Sequence, residues 1–364
     1  MKDQGERGAF EFYGSWREYA PIAFSNLLLT IVTLGIYTFW GRTRTRRYLW
    51  SQTRFIDDRL EWTGTGRELM LGYVVVMLLL FVPVAGLNLL VGTLAMQGTS
   101  SGAAAAGLLF LLLYLFLFVL GGVAIFRALR YRLSRTYWHG IRGGSDDQGF
   151  RYGLSYLWRM MLGSAAFGLM VPWALVNLWN QRWNAMSFGP YPFRSRASSD
   201  GLMRRYLLFY LLPVALVIGG VVVVVISLAF GVTPQTAPGP VMPLFLVGGF
   251  LLFYVLFLVL FGLISLSFYA AYFRQGIGAM TLGQLEFEFT ARTGDWVKLM
   301  LGTIALVVGT LGIGSIFIGY RNWAFFVRHL RAYGTLELDQ FTQSTTRAPG
   351  QGEGLFDGLD MGAF

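Results

Sequence analysis

Cysteine is absent from this 364-residue chain, and charged residues are scarce. The absence of cysteine excludes disulfides, thiolate catalysis and cysteine-ligated metals. Only 13% of the residues are charged and 55% are hydrophobic, whereas a soluble domain carries about 25% charged residues. The mean hydropathy of +0.54 agrees with this imbalance. Together these values predict an integral membrane protein.

Residues that commonly carry catalysis are also few. The two histidines, His139 and His329, lie far apart in the sequence, and neither an H-E-x-x-H nor a P-loop pattern occurs. The adjacent acids Asp146 and Asp147 lie in a glycine-rich segment, which is typical of a turn. We therefore expect no enzyme activity, no catalytic residue, no metal site and no cofactor.

Five stretches of the chain contain no charged residue: 19–41, 69–126, 160–181, 206–273 and 299–320. The second and the fourth are each long enough for two membrane spans of about 20 residues. Polar or Gly/Pro-rich segments around Gln97 and Pro234 would form the loops between those spans. The other three stretches are each about one span long, so seven ordinary spans are one interpretation.

The positive charge of the chain favours a different path for the three shorter stretches. The net charge is +10, and arginine and lysine concentrate on the cytoplasmic side of membrane proteins. If 160–181 crossed the membrane once, the arginines that follow it would lie outside. A stretch that enters from the cytoplasm, bends and returns keeps this charge inside. Glycine or proline near the middle of each stretch can break its helix, and the bends are predicted at Thr33–Gly35, Val171-Pro172 and Gly309–Gly312.

This re-entrant interpretation decides the predicted orientation. Both termini lie in the cytoplasm, and only the segments near Gln97 and Pro234 lie outside. The first residues have no apolar core, so we expect no signal peptide. Orientation and attraction to anionic lipid account for the positive net charge, so we expect no nucleic-acid partner.

Short motifs recur along the chain at one fixed offset in the numbering, 310 − 33 = 277. The matched pairs are TLGI at 33–36 and 310–313, FEF at 10–12 and 287–289, and Arg44 with Arg321. A fainter third copy lies at a shorter offset, 173 − 40 = 133, where Trp40 matches Trp173. The three copies coincide with the three shorter apolar stretches, so we predict three related units.

The predicted fold is membrane all-α: a polytopic helical bundle with small cytoplasmic β-hairpins and internal repeats built from re-entrant helical units. Alternating apolar and polar residues predict strands at Phe10–Phe12, Arg59–Thr63, Leu285–Phe289 and Leu336–Asp339. A single domain, 1–340, is predicted to contain the units 10–68, 137–205 and 280–340. Residues 341–364 are rich in glycine and polar residues, which predicts a flexible tail.

A cluster of arginines follows the first apolar stretch directly: Arg42, Arg44, Arg46 and Arg47. With Trp40 and Trp50 they predict an interfacial belt, in which aromatic rings lie at headgroup depth and guanidinium groups contact lipid phosphates. Arg321 joins the candidate site through the repeat. Anchoring and orientation are the simpler interpretation. A specific site for an anionic lipid headgroup or another anion is the alternative.

Amide and hydroxyl residues within the apolar stretches form a second candidate set: Asn26, Thr30, Thr33, Asn88, Asn177 and Asn180. The first three share one helix face by their spacing. Polar groups at membrane depth usually pair between helices, and a polar path through the membrane is the alternative. No acid or base lies in the apolar stretches, whereas ion-coupled carriers usually need one.

The motifs of the first unit resemble those of a known family. F-E-F-Y-G, then N-L-L-L-T-I-V-T-L-G-I-Y-x-x-W, then R-R-Y-L and T-R-F are similar to the pattern of the YjgN-like family of bacterial inner-membrane proteins. The resemblance is close over 10–70 and looser over 130–205 and 270–340. Phe39 stands where the family pattern more often has proline.

The resemblance implies a multi-pass protein of the bacterial inner membrane, but it implies no activity, because the family is one of unknown function. We expect passive transport, a pore or lipid handling. Membrane lipids with anionic headgroups are the expected partners. The alternative is a scaffold that binds a protein partner through its hairpins and its tail, and a membrane enzyme is the least favoured function.

Overall fold

The computed structural model describes residues 9–96, 98–165, 167–229, 241–334 and 342–347. The α-helices in these ranges are α1 Trp16–Val32, α2 Thr38–Ser51, α3 Gly66–Met96, α4 Ser100–Arg135, α5 Phe150–Ala165, α6 Val171–Asn184, α7 Leu202–Tyr206, α8 Leu211–Ala229, α9 Val241–Gly278, α10 Thr293–Gly309 and α11 Ile318–His329. Short 3₁₀ helices, Leu207–Tyr210 and Ile313–Phe317, precede α8 and α11. The segments predicted at Gln97, Pro234 and Leu336–Asp339 lie outside the described residues, as does the tail beyond Arg347.

The helices in the two long apolar stretches can cross a membrane. Within the described residues, four segments have the length and apolar composition of a span: Gly66–Met96, Ser100–Arg135, Leu202–Ile226 and Leu251–Gly278. Two spans in each long stretch agree with the sequence. The connection between α3 and α4 is shorter than predicted, because the alanines at 103–106 continue α4 and alanine is the strongest helix former.

The three shorter stretches each form two helices joined by a tight turn. Leu34, Phe167 and Leu311 adopt left-handed backbone at φ 50°, 52° and 50°, and the glycine after each has φ 93°, 84° and 94°. Glycine adopts positive φ readily, whereas the residue before it carries a cost of about 1–2 kcal/mol. The second turn lies just before the predicted bend at Val171-Pro172. Pro172 is instead in the first turn of α6, where its missing N–H is tolerated.

A threonine closes the first and the third of these turns in the same way. Its hydroxyl donates to the carbonyl four residues earlier and accepts from the backbone N–H four residues later. The two distances are 2.7 and 2.9 Å for Thr33 and 2.7 and 2.6 Å for Thr310. These side-chain bonds satisfy backbone groups that a helix leaves open at its end.

Short strands flank every helical pair. They are β1 Phe10–Phe12, β2 Thr53–Phe55, β3 Asp58–Arg59, β4 Glu61–Trp62, β5 Thr136–Trp138, β6 Ile141–Gly144, β7 Ser187–Phe188, β8 Tyr191–Ser195, β9 Met280–Leu282, β10 Leu285–Phe289 and β11 Leu330–Tyr333. Among the described residues, β4 to β11 pair in sequence order into one eight-stranded antiparallel half-barrel, and β1 to β3 form a three-stranded sheet.

The sequence predicts small β-hairpins, and the structure joins the hairpins edge to edge into this larger sheet. Phe193 of β8 lies opposite Leu282 of β9, for example. β3 and β4 belong to one extended segment, 58–62, that pairs with β2 at its start and with β5 at its end. β1 also lies against β11. This arrangement covers strand edges that separate hairpins would leave unpaired.

Each helical hairpin begins and ends at a strand of these sheets. In the described part of the chain there are five such hairpins: α1–α2, α3–α4, α5–α6, α8–α9 and α10–α11. The long pairs contain the candidate spans, and the short pairs are those with the left-handed turns. Because the strands are joined in one layer, the bases of long and short hairpins are collected beside the same sheet.

Aromatic residues pack between the sheet and the helix bases. Trp50, Trp62 and Trp138 are buried. Trp50 stacks on Trp323 of α11 with ring centroids 4.0 Å apart, and its Nε1 donates to Thr136 Oγ1 at 2.9 Å. The sequence predicts Trp50 at headgroup depth, but this residue is only 7% exposed. It joins α2 to β5 and α11 inside the core.

Residues 342–347 of the predicted flexible tail pack against the β5–β6 hairpin and the segment that follows it. Gln343 Nε2 donates to the Gly140 carbonyl at 2.9 Å, and the Arg347 N–H donates to Asp146 Oδ1 at 3.1 Å. Ser344 is buried. This short segment therefore has defined contacts with the sheet layer.

Candidate anion-binding pocket

A cavity of about 600 Å³ lies between the first short hairpin, the α11 end of the third, and α4. Among the described residues that line it, the charged ones are Arg42, Arg46 and Arg132, and none is acidic. We call this cavity the arginine pocket. Guanidinium groups donate hydrogen bonds in a planar fork that matches carboxylate and phosphate, so three of them at one cavity can bind an anion.

The α-helical spacing selects which arginines of the cluster reach this pocket. Arg42 and Arg46 are four residues apart and therefore share one face of α2, which is half-buried. The Arg46 guanidinium also lies over the Trp62 ring, 5.0 Å from its centroid. Arg44 and Arg47 are on the exposed face, and Arg44 Nη1 donates to Ser25 Oγ at 2.8 Å.

Hydrogen-bonding groups complete the wall of the arginine pocket. Uncharged polar side chains from the first and third short hairpins line it: Tyr19, Asn26, Thr30, Thr38, Thr45 and Asn322. The Tyr19 hydroxyl contacts Thr45 Oγ1 at 3.3 Å. The wall thus offers positive charge, amides and hydroxyls.

Asn26 is the most enclosed amide of the arginine pocket, at 9% exposure. Its Nδ2 donates to the Gly41 carbonyl at 3.1 Å and contacts Thr45 Oγ1 at 3.4 Å. Its Oδ1 is buried and has no hydrogen-bond partner. A Cβ at Gly41 would lie 3.4 Å from Asn26 side-chain atoms, which is ordinary van der Waals contact.

The cavity has a lipid-compatible flank. On α1, Phe24, Leu28 and Ile31 are 50%, 63% and 63% exposed, and they alternate along the helix with Asn26 and Thr30. Beyond the end of α1, the side chain of the turn residue Leu34 is also exposed. α1 therefore presents Asn26 and Thr30 to the cavity among apolar residues, and its exposed outer side chains are apolar.

Of the predicted site residues, the structure brings Asn26, Thr30, Arg42, Arg46 and Trp50 together at the arginine pocket. The others lie elsewhere: Thr33, Trp40, Arg44, Arg47, Asn88, Asn177, Asn180 and Arg321. Thr33 closes its turn, Trp40 is 36% exposed, and Arg321 Nε donates to Thr303 Oγ1 at 3.3 Å.

The amides outside the arginine pocket are engaged locally. Asn88 and Asn177 each donate to the carbonyl four residues earlier, at 2.8 and 2.9 Å. Asn180 holds the end of β8, because its Oδ1 accepts from Ser195 Oγ at 2.7 Å and from the Ala197 N–H at 2.9 Å. These bonds give the three amides structural contacts at separate places in the fold.

Sequence reasoning missed Arg132 and Asn322 as pocket residues. Arg132 lies in a basic run after the second long stretch, which indicates only orientation. Asn322 and Thr45, which also lines the pocket, are separated by the same offset as the two TLGI motifs (322 − 45 = 310 − 33). The internal repeat was therefore a usable signal for Asn322. Nothing local to α4 indicates that its arginine reaches α2.

The fold and the arginine pocket define a multi-pass helical membrane protein with a cationic cavity where short helical hairpins meet a sheet layer. A family model described as "Bacterial protein of unknown function (DUF898)" matches residues 7–358. The chain belongs to this family.

Two curated relatives share a shorter region with the chain. "Inner membrane protein YjgN" of Escherichia coli strain K12 and the protein of the same name from Escherichia coli O157:H7 are each 38% identical to it over 58 residues. The match covers 16% of this chain and only 15% of each relative's length. No solved structure matches the chain significantly. The relatives' name and the candidate spans agree on a membrane protein.

Proposed function

We propose that this protein binds anionic lipid headgroups in the arginine pocket and handles lipid without a chemical step. The observation that carries the proposal is that Arg42, Arg46 and Arg132 line one cavity whose described lining holds no acid. Guanidinium groups bind phosphate in a bidentate manner. The exposed apolar residues of α1 beside the cavity would contact acyl chains, which favours a lipid over a small soluble anion.

The proposal includes a path for the short hairpins: each enters the membrane from the cytoplasm, turns and returns. Both ends of every hairpin adjoin the same sheet layer, which supports this path. Exposed apolar side chains at the three turns also support it, because such residues are stabilised in lipid. With this path, both termini and the sheet lie in the cytoplasm of a bacterium, and the protein is of the inner membrane.

The proposal also includes three related units. Element bounds support it, because α10 begins and ends at the longer motif offset from α1 (293 − 16 = 309 − 32 = 277). α6 likewise begins and ends at the shorter offset from α2 (171 − 38 = 184 − 51 = 133). The left-handed turns follow the same two offsets, since Leu311 is at the longer one and Phe167 at the shorter one from Leu34.

A pair of double variants on α2 tests the function. Arg42→Gln with Arg46→Gln removes two charges from the arginine pocket. Arg44→Gln with Arg47→Gln removes two charges from the exposed face of the same helix. Retention of phosphatidylglycerol by the purified protein is measured by native mass spectrometry. A charged hydrogen bond contributes about 1.5–3 kcal/mol, so we expect the pocket variant to lose at least tenfold in affinity and the control variant to keep it.

Equal losses in both double variants would contradict the proposal, since diffuse surface charge would then explain lipid binding. Unchanged retention in the pocket variant would contradict it as well. Lysine at positions 42 and 46 separates charge from geometry. If bidentate contacts matter, the lysine variant also loses affinity, because an ammonium group cannot form the planar fork.

A further inference from the structure

The orientation of the Asn26 amide is set by its partners. The Gly41 carbonyl can only accept a hydrogen bond, so the Asn26 Nδ2 must face it at 3.1 Å. The other end of the amide, Oδ1, is buried and has no hydrogen-bond partner, and the Asn26 residue that carries it lines the arginine pocket. A buried acceptor without a donor is destabilising, so a ligand that donates there gains affinity.

The charges of the arginine pocket restrict which donor a ligand can bring. An ammonium group would approach three guanidinium groups and be repelled, whereas a hydroxyl carries no charge. An anion on the arginines and a hydroxyl next to it therefore fit the pocket together. A phosphodiester with a glycerol headgroup has both features, separated by a few bonds.

We propose that the arginine pocket selects an anionic phosphodiester that carries a headgroup hydroxyl, as phosphatidylglycerol does, and that this hydroxyl donates to Asn26 Oδ1. The phosphate lies on the arginines. This inference rests on the function proposed above and adds the class of headgroup. Lipids of equal charge that lack the hydroxyl bind more weakly, because they leave Oδ1 unpaired.

A matched pair of lipids tests the selection. Phosphatidylglycerol and phosphatidylpropanol with the same acyl chains carry one negative charge and headgroups of the same carbon number, and only the first has headgroup hydroxyls. The full-length protein is placed in nanodiscs of phosphatidylcholine that contain one or the other, and bound lipid is counted by native mass spectrometry. We expect phosphatidylglycerol to be favoured about tenfold, which corresponds to about 1.4 kcal/mol.

Protein variants assign the preference to Asn26. Asn26→Leu should reduce the ratio of the two affinities to about one, because it removes Oδ1. Asn177→Leu makes the same chemical change at a half-buried amide outside the pocket and should keep the ratio. The ratio is compared within each variant, so a general loss of folded protein affects both lipids alike. If Asn26→Leu does not fold, the ratio of the two affinities in the wild-type protein alone decides whether the headgroup hydroxyl is selected.

The outcomes separate the two proposals. Equal binding of both anionic lipids, tighter than that of phosphatidylcholine, overturns the headgroup selection and leaves the proposed function standing. No preference for either anionic lipid over phosphatidylcholine overturns the proposed function itself. Soluble sn-glycerol 3-phosphate is added as a competitor. Displacement of phosphatidylglycerol at comparable concentration supports the same chemistry with a soluble ligand, and its failure to compete supports the lipid.

Discussion

The depth of the short hairpins in the membrane can be measured at their turns. Leu34, Phe167 and Leu311 are 93%, 90% and 94% exposed, and each follows a helix from the sheet layer. The natural chain has no cysteine, so a single cysteine at any of these positions carries a unique nitroxide label. We expect all three labels to lie within the hydrocarbon.

The expected depth follows from the helix lengths. α1 has 17 residues and α2 has 14, so at 1.5 Å per residue they rise about 25 and 21 Å. The hydrocarbon core is about 30 Å thick. A hairpin whose base lies at the cytoplasmic boundary therefore places its turn beyond the bilayer centre and about 5–9 Å short of the outer boundary. α10 also has 17 residues, so Leu311 should lie at the depth of Leu34.

This depth is measured by the collision rates of the nitroxide with two relaxation agents. Oxygen concentrates in lipid, whereas a nickel chelate stays in water. Ser101→Cys and Ser198→Cys are the controls. Both are exposed, the first near the start of α4 and the second between β8 and α7. We expect a high ratio of oxygen to nickel accessibility at the three turns, and low ratios at both controls.

Two results would refute the re-entrant path. In the first, an impermeant reagent added outside intact cells labels Leu34→Cys as readily as Ser101→Cys. This result would show that the first stretch crosses the membrane. Nickel accessibility at the turns equal to that of Ser198→Cys would show that the hairpins lie in water. Different depths at Leu34 and Leu311 would instead contradict the relation between the first and third units.

Two further predictions concern stability in detergent. Trp50→Leu removes the stack on Trp323 and the bond to Thr136 and should lower the free energy of unfolding by about 2–4 kcal/mol. The control Trp16→Leu, at a residue 59% exposed, should change the free energy of unfolding little. Equal shifts in the thermal midpoint of the two variants would contradict the buried stack. Asp295 accepts from the Arg292 N–H at 2.9 Å at the start of α10, and that bond lowers the pKa of the carboxyl. The stabilisation by this carboxylate is therefore present above the unfolded-state pKa of about 4 and is lost as pH falls through the lower folded-state pKa. Asp295→Asn should lower the thermal midpoint at pH 7 and have no effect in strong acid. A difference in midpoint that persists at low pH would contradict the assignment.

Much of the membrane architecture was predictable because it depends on local composition. Charge-free length predicts the candidate spans in 69–126 and 206–273, since charge is costly in hydrocarbon. The turn at Thr33–Gly35 was also predictable, because threonine and glycine supply the hydroxyl bonds and the positive φ within one segment. The sharing of one face by Arg42 and Arg46 follows from helical periodicity alone.

The rest depended on contacts between residues far apart in the chain. Alternation of apolar and polar residues predicts strands at 10–12, 59–63 and 285–289, but it does not indicate that β8 pairs with β9 across two candidate spans, because edge pairing depends on which edges meet. The burial of Trp50 depends on Trp323, which arrives from the other end of the chain. Arg132 likewise lines the same cavity as Arg42 and Arg46 only because of how α4 packs near α2. The sequence by itself therefore determined the class of protein, its apolar segments and the first and third of the short-hairpin turns, because these follow from local charge and periodicity, whereas only the tertiary structure decided which arginines share a cavity.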